Sequence, residues 1–260
     1  MPAERLNITI EGAVARIALN RPEVRNAFDD VLIAELTATL ERIEHDQRAR
    51  LVVLGATGES FCAGADLNWM RRMAGYSWEE NFTDAKCLGR LMQTLDQLAL
   101  PTLARVQGPA LGGGIGLIAA CDIAVAADTA FFALSEVKLG LIPAVISPFV
   151  LRAVGERAAR RYFLTGERMT AHEALRLGLV HEVVLGKRLD ERIDELAQAL
   201  LANGPQAVRA AKRLIRAPGR EAIDAALIEE MARRTAEQRA SPEGQEGVAA
   251  FLAKRKPNWN

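Results

Sequence analysis

Short apolar strands that alternate with helices constrain the fold of this chain most strongly. Apolar residues recur at every second position on both sides of Glu11-Gly12, which predicts a hairpin of two strands. Further strands are predicted at 51–54, 102–106, 123–126 and 130–134. Because strands that alternate with helices form a sheet covered by helices, the sequence predicts an α/β core.

Helices are predicted between these strands and at the end of the chain. Asp29 and Asp30 precede apolar residues spaced by three and four, which predicts a capped helix. Two more helices are predicted near 67–73 and at 113–120. From about Lys187 the pattern is helical throughout. We therefore predict an α/β core over residues 1–190 and a helical C-terminal region over residues 191–260.

Composition excludes several classes of function. Lys plus Arg equals Asp plus Glu at 33 each, so no net charge favours nucleic acid. The N-terminal segment lacks the apolar stretch of a signal peptide, and no apolar run reaches the roughly 20 residues of a membrane span. The three cysteines have no metal-like spacing, so we expect free thiols and a cytoplasmic protein. The three histidines lie far apart in sequence, and we expect none of them to be catalytic.

Two turns of small residues each join a predicted strand to a predicted helix. They are FCAGADL at 61–67 and GPALGGGIG at 108–116. Small residues let backbone N–H groups approach a ligand, and a helix N-terminus supplies unpaired donors. Two such turns side by side predict an oxyanion hole; the alternative is that the glycines only permit tight packing. The glycine spacing fits neither a P-loop nor a dinucleotide fingerprint.

Glu136 lies between a predicted strand and the apolar segment 139–142. A carboxylate in such surroundings is expected to be partly buried, which raises its pKa and suits it to proton transfer. The alternative is an ordinary ion pair with Lys138 or an arginine.

At these motifs the chain resembles the enoyl-CoA hydratase/isomerase (crotonase) superfamily over nearly its whole length. The resemblance implies a spiral of strand-strand-helix units with a helical C-terminal region that forms trimers or hexamers. It implies an acyl-CoA substrate, with coenzyme A as part of that substrate and no metal or other cofactor. It also implies three catalytic positions: the N–H groups of Ala65 and Gly113 as oxyanion donors, and Glu136 as the acid/base.

The same resemblance implies a set of residues that bind coenzyme A. Segment 21–27 resembles the family's early CoA-contacting turn, and segment 251–255 resembles its C-terminus, which reaches the CoA of a neighbouring subunit. The implied binding residues are Arg25, Ala27, Ala63, Ala65, Asp66, Leu67, Phe251 and Lys254.

One position departs from the two-carboxylate hydratases of the family. Those enzymes carry a glutamate two residues after the glycine triplet, where this chain has Gly116. Hydration of a double bond needs a positioned water and a proton donor, whereas a double-bond shift needs one base. The loss of that glutamate therefore favours an isomerase.

A finer resemblance favours a hydratase. The segments around 65–70, 112–122, 134–150 and 241–255 resemble bacterial hydratases of branched glutaconyl-CoA esters, in which a glycine at this position is usual. We therefore expect a hydratase, with an isomerase or a non-catalytic acyl-CoA-binding protein as alternatives. A distal substrate carboxylate would need a cation. The candidates are Arg71, Arg72 and Lys86; candidate acyl-pocket walls are Trp69, Met70, Phe82 and Phe149.

Overall fold

The structure is a computed structural model that describes residues 4–216 and 223–259. It confirms the α/β core. The two strands of the predicted hairpin, β1 (Leu6–Glu11) and β2 (Val14–Leu19), pair antiparallel. The other strands of the main sheet are β3 (Leu51–Ala56), β4 (Thr102–Val106), β6 (Ile123–Ala127) and β9 (Glu182–Val184), in the order β1-β2-β3-β4-β6-β9 with all pairs after the first parallel.

A second, smaller sheet lies beside the predicted functional turns. It contains β5 (Ala110–Leu111), β7 (Phe131–Ala133) and β8 (Met169–Thr170), in the order β5-β7-β8. β5 is part of the second small-residue turn, and β7 leads directly into Glu136. The small sheet therefore brings that turn and Glu136 to the same edge.

Helices separate the strands in the first part of the chain. They are α1 (Asp30–Glu44), α2 (Leu67–Met73), α3 (Trp78–Gln97), α4 (Gly113–Ala120), α5 (Ser147–Thr165) and α6 (Ala171–Leu177). Asp29 caps α1 by accepting a hydrogen bond from the N–H of Leu32 at 2.8 Å, as predicted. All six residues of β3 are buried, which is typical of a parallel strand covered on both faces. The sequence prediction missed α3, the longest helix among the described residues.

The chain forms two compact units, Met1–Glu195 and Leu196–Asn260. α7 (Leu189–Leu201) runs through the division, and the predicted boundary after residue 190 stays a prediction. The second unit also contains α8 (Pro205–Arg216), α9 (Ala225–Ala240) and α10 (Pro242–Leu252). Within it, the carboxylate of Glu243 accepts hydrogen bonds from the N–H groups of Gln206 and Ala207, which start α8. In residues 4–216 and 223–259 no helix is long and apolar enough to cross a bilayer.

Candidate active site

The two small-residue turns lie side by side, as the sequence predicts. Cys62 and Ala110 form a parallel bridge: the N–H of Cys62 donates to the carbonyl of Pro109 at 3.2 Å, and the N–H of Leu111 donates to the carbonyl of Cys62 at 2.8 Å. A side chain on Gly114 could not fit here, because a Cβ there would lie 2.8 Å from the Cβ of Cys62. The glycines therefore permit tight packing, in addition to any role that they have in binding a ligand.

The N–H group of Ala65 makes no hydrogen bond within the described residues. Ala65 forms a parallel bridge with Phe28, in which the carbonyl of Gly64 accepts from the N–H of Phe28 and the N–H of Asp66 donates to the carbonyl of Phe28, both at 2.7 Å. Because alternate peptide groups of an extended strand point to opposite sides, the N–H of Ala65 points away from Phe28. Ala65 is exposed, and in the described part of the chain its N–H has no acceptor.

The N–H group of Gly113 is equally available. Gly113 is the first residue of α4, so it has no acceptor four residues earlier within the helix. Among the described residues this N–H donates to no group of the chain. The positive end of the dipole of α4 adds to the attraction for negative charge at this point. Gly112, the residue before it, adopts φ 49° and ψ −119°, a conformation that favours glycine.

Glu136 lies against the second turn, which packs on the first. A Cβ on Gly112 would lie 2.9 Å from Oε1 of Glu136 and 4.0 Å from Cα of Gly64, so Gly112 is next to both this carboxylate and the residue that precedes Ala65. Glu136 begins a 3-10 turn, Glu136–Leu139, directly after the small sheet. The structure thus brings the three predicted catalytic positions together.

The carboxylate of Glu136 is in an environment suited to proton transfer. Its Oε2 is buried and has no hydrogen-bond partner in the part of the chain that the structure describes. Burial raises the pKa of this carboxyl above its usual range, and the backbone N–H of Glu136 offsets part of the effect. The predicted alternative, an ion pair with Lys138 or an arginine, does not form among the described residues.

A polar network that the sequence analysis did not identify holds the Ala65 turn. The guanidinium of Arg21 donates to the carbonyl of Ala27 at 2.8 Å and to Asp66 at 3.1 Å, and it lies 3.0 Å from Asp29. Asn26 is fully buried; its side-chain amide donates to the carbonyls of Thr57 and Ser60, both at 2.8 Å. Segment 21–29 is therefore a scaffold for the turn at 61–67.

Asp66 is part of this scaffold. Its carboxylate caps α2 by accepting from the N–H groups of Asn68 at 2.8 Å and Trp69 at 3.2 Å. Burial opposes its ionisation, but these hydrogen bonds and the charge of Arg21 outweigh burial and lower the pKa of Asp66. The carboxylate is thus engaged within the chain, and a contact with coenzyme A would have to come from the backbone of this residue.

Other residues of the predicted binding set have different surroundings. Arg25 and Ala63 line a cleft of about 280 Å³, and the N–H of Ala63 donates to the carbonyl of Arg25 at 3.0 Å. Ala27 is buried, whereas Leu67 is largely exposed. Phe251 and Lys254 are exposed in the second unit.

The candidates for the acyl pocket differ in burial and in the groups that they contact. Trp69 is buried and its indole N–H donates to Asp84 at 3.1 Å, while Phe82 stacks on Trp78 at the surface with ring centroids 5.1 Å apart. Met70 and Phe149 are partly buried. Cys62 adds no nucleophile, since burial raises the pKa of its thiol to about 12.

Two unpaired backbone donors on adjacent turns, with a partly buried carboxylate next to one of them, are an arrangement typical of sites that activate a carbonyl. Comparison with known proteins agrees with this class. The family model for enoyl-CoA hydratase/isomerase matches residues 9–260. The chain belongs to the enoyl-CoA hydratase/isomerase family and has the crotonase-type α/β fold.

Solved structures and characterised sequences support the family assignment. An enoyl-CoA hydratase from Shewanella pealeana superimposes with a TM-score of 0.95 at 46% identity, covering 98% of this chain and 96% of that one. The short-chain-enoyl-CoA hydratase of Clostridium acetobutylicum is 34% identical, covering 95% of this chain and 94% of the relative. The 2,3-dehydroadipyl-CoA hydratase of Escherichia coli is 33% identical, covering 98% of each chain.

Proposed function

We propose that this chain hydrates a 2-enoyl-CoA thioester and that Glu136 is its one catalytic carboxylate. The buried, unpartnered Oε2 of Glu136 beside Gly112 carries this proposal. A buried carboxylate without a partner is costly to stability, so its presence next to two free N–H donors favours a functional role.

The proposed reaction adds water across the C2–C3 double bond. The thioester oxygen accepts hydrogen bonds from the N–H groups of Ala65 and Gly113, which stabilise the charge that develops on it. Glu136 takes a proton from water as the water oxygen bonds to C3. The electron pair of the double bond moves onto the thioester as an enolate, and a proton is then delivered to C2, so that the net change is the addition of H₂O.

One carboxylate has to serve both proton transfers in this scheme. The raised pKa of Glu136 suits this double role, because the group can accept the proton from water and return it to C2. A carboxylate of the substrate can also help to hold the water. The second candidate function, an isomerase that moves a proton between C2 and C4, is favoured by Gly116, since a double-bond shift needs one base.

For the acyl group we propose a branched glutaconyl chain. The motif resemblance supports this substrate, and the name of the Escherichia coli relative refers to another CoA ester of a dicarboxylic acid. Of the three candidate cations for the distal carboxylate, Arg72 is paired with Asp30 at 2.5 Å and Arg71 donates to Asn68 at 2.7 Å. Lys86 lies over the ring of Phe82 at 5.1 Å and forms no ion pair in the described residues, so it is the favoured candidate.

We propose that the cleft lined by Arg25 and Ala63 receives the phosphates of coenzyme A. Lys138 and Arg168 line the same cleft, and Arg168 lies over the ring of Phe131 at 4.4 Å. None of the three cations forms an ion pair with a described carboxylate, so their charge is available to an anion.

Two further expectations stay predictions. One is a homotrimer or homohexamer, in which Phe251 and Lys254 would complete the site of a neighbouring subunit. The other is a cytoplasmic location.

The decisive experiment is turnover on four CoA esters with products identified by mass: 3-methylglutaconyl-CoA, isohexenylglutaconyl-CoA, crotonyl-CoA and a 3-enoyl-CoA. We expect a glutaconyl ester to gain the mass of one water. Glu136→Gln should lower kcat about 10²- to 10⁴-fold while CoA binding is retained. The control is Glu156→Gln, which alters an exposed carboxylate on α5.

Three other results would contradict the proposal in different ways. A product of unchanged mass from the 3-enoyl ester alone would identify an isomerase. Binding of CoA esters without turnover of any of them would identify a non-catalytic protein. Near-normal turnover by Glu136→Gln would remove this residue from the mechanism.

A further inference from the structure

Ile146 occupies the space that any side chain at position 116 would need. A Cβ built on Gly116 would lie 2.4 Å from Cγ2 of Ile146, 3.0 Å from its Cβ and 3.1 Å from Sδ of Met92. Non-bonded carbon atoms in proteins essentially never lie closer than 3.0 Å, so Ile146 or the backbone of Gly116 would have to move. Ile146 and Met92 are both buried, which limits how far they can shift.

This packed position joins the helix that begins at Gly113 to the end of the loop that begins at Glu136. Gly116 lies one helical turn beyond Gly112, with its N–H 3.4 Å from the carbonyl of Gly112. Ile146 comes at the end of the loop that begins at Glu136, and this loop is tied back at its start by a hydrogen bond from the N–H of Leu141 to the carbonyl of Glu136 at 3.0 Å. The contact between Gly116 and Ile146 therefore joins α4 to the end of the loop that carries the proposed catalytic carboxylate.

We propose that Ile146 is a specificity-determining residue. Its side chain makes the part of the site next to Gly116 an apolar wall. It also leaves no room there for a carboxylate in addition to Glu136. The proposal rests on the hydratase function proposed above. A carboxylate facing Ile146 and Met92 would be desolvated without a partner, so geometry and solvation both exclude it. The substrate group that faces this wall is then apolar, and an alkyl branch at C3 is the class of substituent that fits it.

The steric part of the proposal is tested by a set of variants at the two positions. Gly116→Glu alone should fold poorly or lose activity because of the contact with Cγ2 of Ile146. Ile146→Val is the matched background, since valine keeps a methyl group at that place and should not rescue Gly116→Glu. Ile146→Gly removes both close atoms. It also removes a buried side chain, so Ile146→Gly alone should melt below the wild type and is the baseline for the double variant.

We expect the double variant Gly116→Glu/Ile146→Gly to melt no lower than Ile146→Gly alone, because the space left by Ile146 accepts the new side chain. It should also gain hydration of crotonyl-CoA relative to the wild type, by about tenfold or more, since a second positioned carboxylate contributes general acid/base catalysis. Wild-type melting temperature and new crotonyl-CoA activity in Gly116→Glu alone would overturn the steric assignment. A well-folded double variant with no gain on crotonyl-CoA would overturn the claim that this space borders the reacting atoms.

The specificity part is tested by Ile146→Ala alone. This change removes the wall, so the ratio of kcat/KM for 3-methyl-branched over unbranched esters should fall about 10- to 100-fold, the range of a few methylene contacts in an apolar pocket. An unchanged ratio would overturn the proposal. If the wild type turns over no enoyl-CoA, the proposed function fails; the melting temperatures of the variant set then still decide the steric claim independently.

Discussion

The turn that carries Ala65 and the turn that carries Gly113 are fixed by different interactions. The first is held by polar side chains from segment 21–29, above all Arg21 and Asn26. The second is held by backbone pairing and by the absence of side chains, since a Cβ on Gly113 would lie 2.9 Å from the ring of Phe28. The two proposed oxyanion donors therefore depend on different physical forces.

This difference has a consequence for mutation. A turn held by hydrogen bonds can lose one bond and keep its shape, at a cost of about 1–3 kcal/mol for each buried group left unpaired. A turn held by close packing tolerates no added atom, because dense interiors cannot move aside. We therefore expect the Gly113 turn to fail abruptly and the Ala65 turn to weaken in steps.

The largest effect is expected for Gly112→Ala. The new Cβ would lie 2.9 Å from Oε1 of Glu136, at a positive φ that favours glycine. It should displace the carboxylate and the N–H of Gly113 together, so kcat should fall at least about 10²-fold, as for the loss of an oxyanion donor. Steady-state kinetics on the best substrate measures this.

Gly12→Ala is the matched control for this prediction. Gly12 has a similar φ of 58° in the turn between β1 and β2, but no atom of the described residues lies within 4 Å of the position of its Cβ. It should therefore cost stability through strain alone and leave kcat unchanged. Equal losses of kcat in both variants would show that strain, not the contact with Glu136, is the cause.

The second largest effect is expected for Asn26→Ala. The change removes the buried amide that joins segment 21–29 to the carbonyls of Thr57 and Ser60, and it places alanine at a φ of 56°. We expect a loss of about 2–4 kcal/mol in the free energy of unfolding, measured by denaturant titration. Asn81→Ala, which removes exposed hydrogen bonds, should change it by less than about 1 kcal/mol. A stability of Asn26→Ala equal to the wild type would contradict the scaffold role.

The sequence predicts the Gly113 turn better than the Ala65 turn, and the reason is physical. Glycine spacing is a local signal, so the triplet at 112–114 and its helix were predicted as the structure has them. The contacts of Asn26 join residues more than 30 positions apart, and no pattern within segment 21–27 indicates them. The same holds for Gly116 and Ile146, whose contact appears only once the chain has folded.

Helix α3 was missed for a related reason. Its residues are strongly polar around a narrow apolar face, with only Leu91, Met92 and Leu95 buried. The signal that could have identified it is local: Ser77 and Glu80 form a capping box at its start, with the N–H of Glu80 donating to the hydroxyl of Ser77 at 3.2 Å. By contrast, the three predicted catalytic positions belong to sequence motifs, and the structure brings these motifs together.

A smaller effect is expected for Asp66→Asn, and its pH dependence sharpens the comparison. The pKa of Asp66 is lowered in the folded chain, so its ionised form stabilises the fold above the unfolded pKa near 4, and this contribution is lost as pH falls through the folded value. Asparagine still caps a helix but cannot pair with Arg21. We expect the variant to be about 1 kcal/mol less stable at pH 7, with the gap closing in acid. A gap that persists at pH 2 would contradict this role.

The smallest effect, and one of opposite sign, is expected for the stability of Glu136→Gln. Burial raises the pKa of Glu136 in the folded chain, so its charged form destabilises the fold as pH rises above the unfolded value near 4. Glutamine carries no charge; the variant should therefore melt slightly higher than the wild type at pH 8 and equally at pH 3. Thermal melts at both values measure this, with Glu156→Gln as the exposed control. A lower melting temperature for Glu136→Gln at pH 8 would mean that the ionised carboxylate stabilises the fold, as that of Asp66 does. It would then weaken the argument that the chain retains Glu136 for catalysis at the expense of stability.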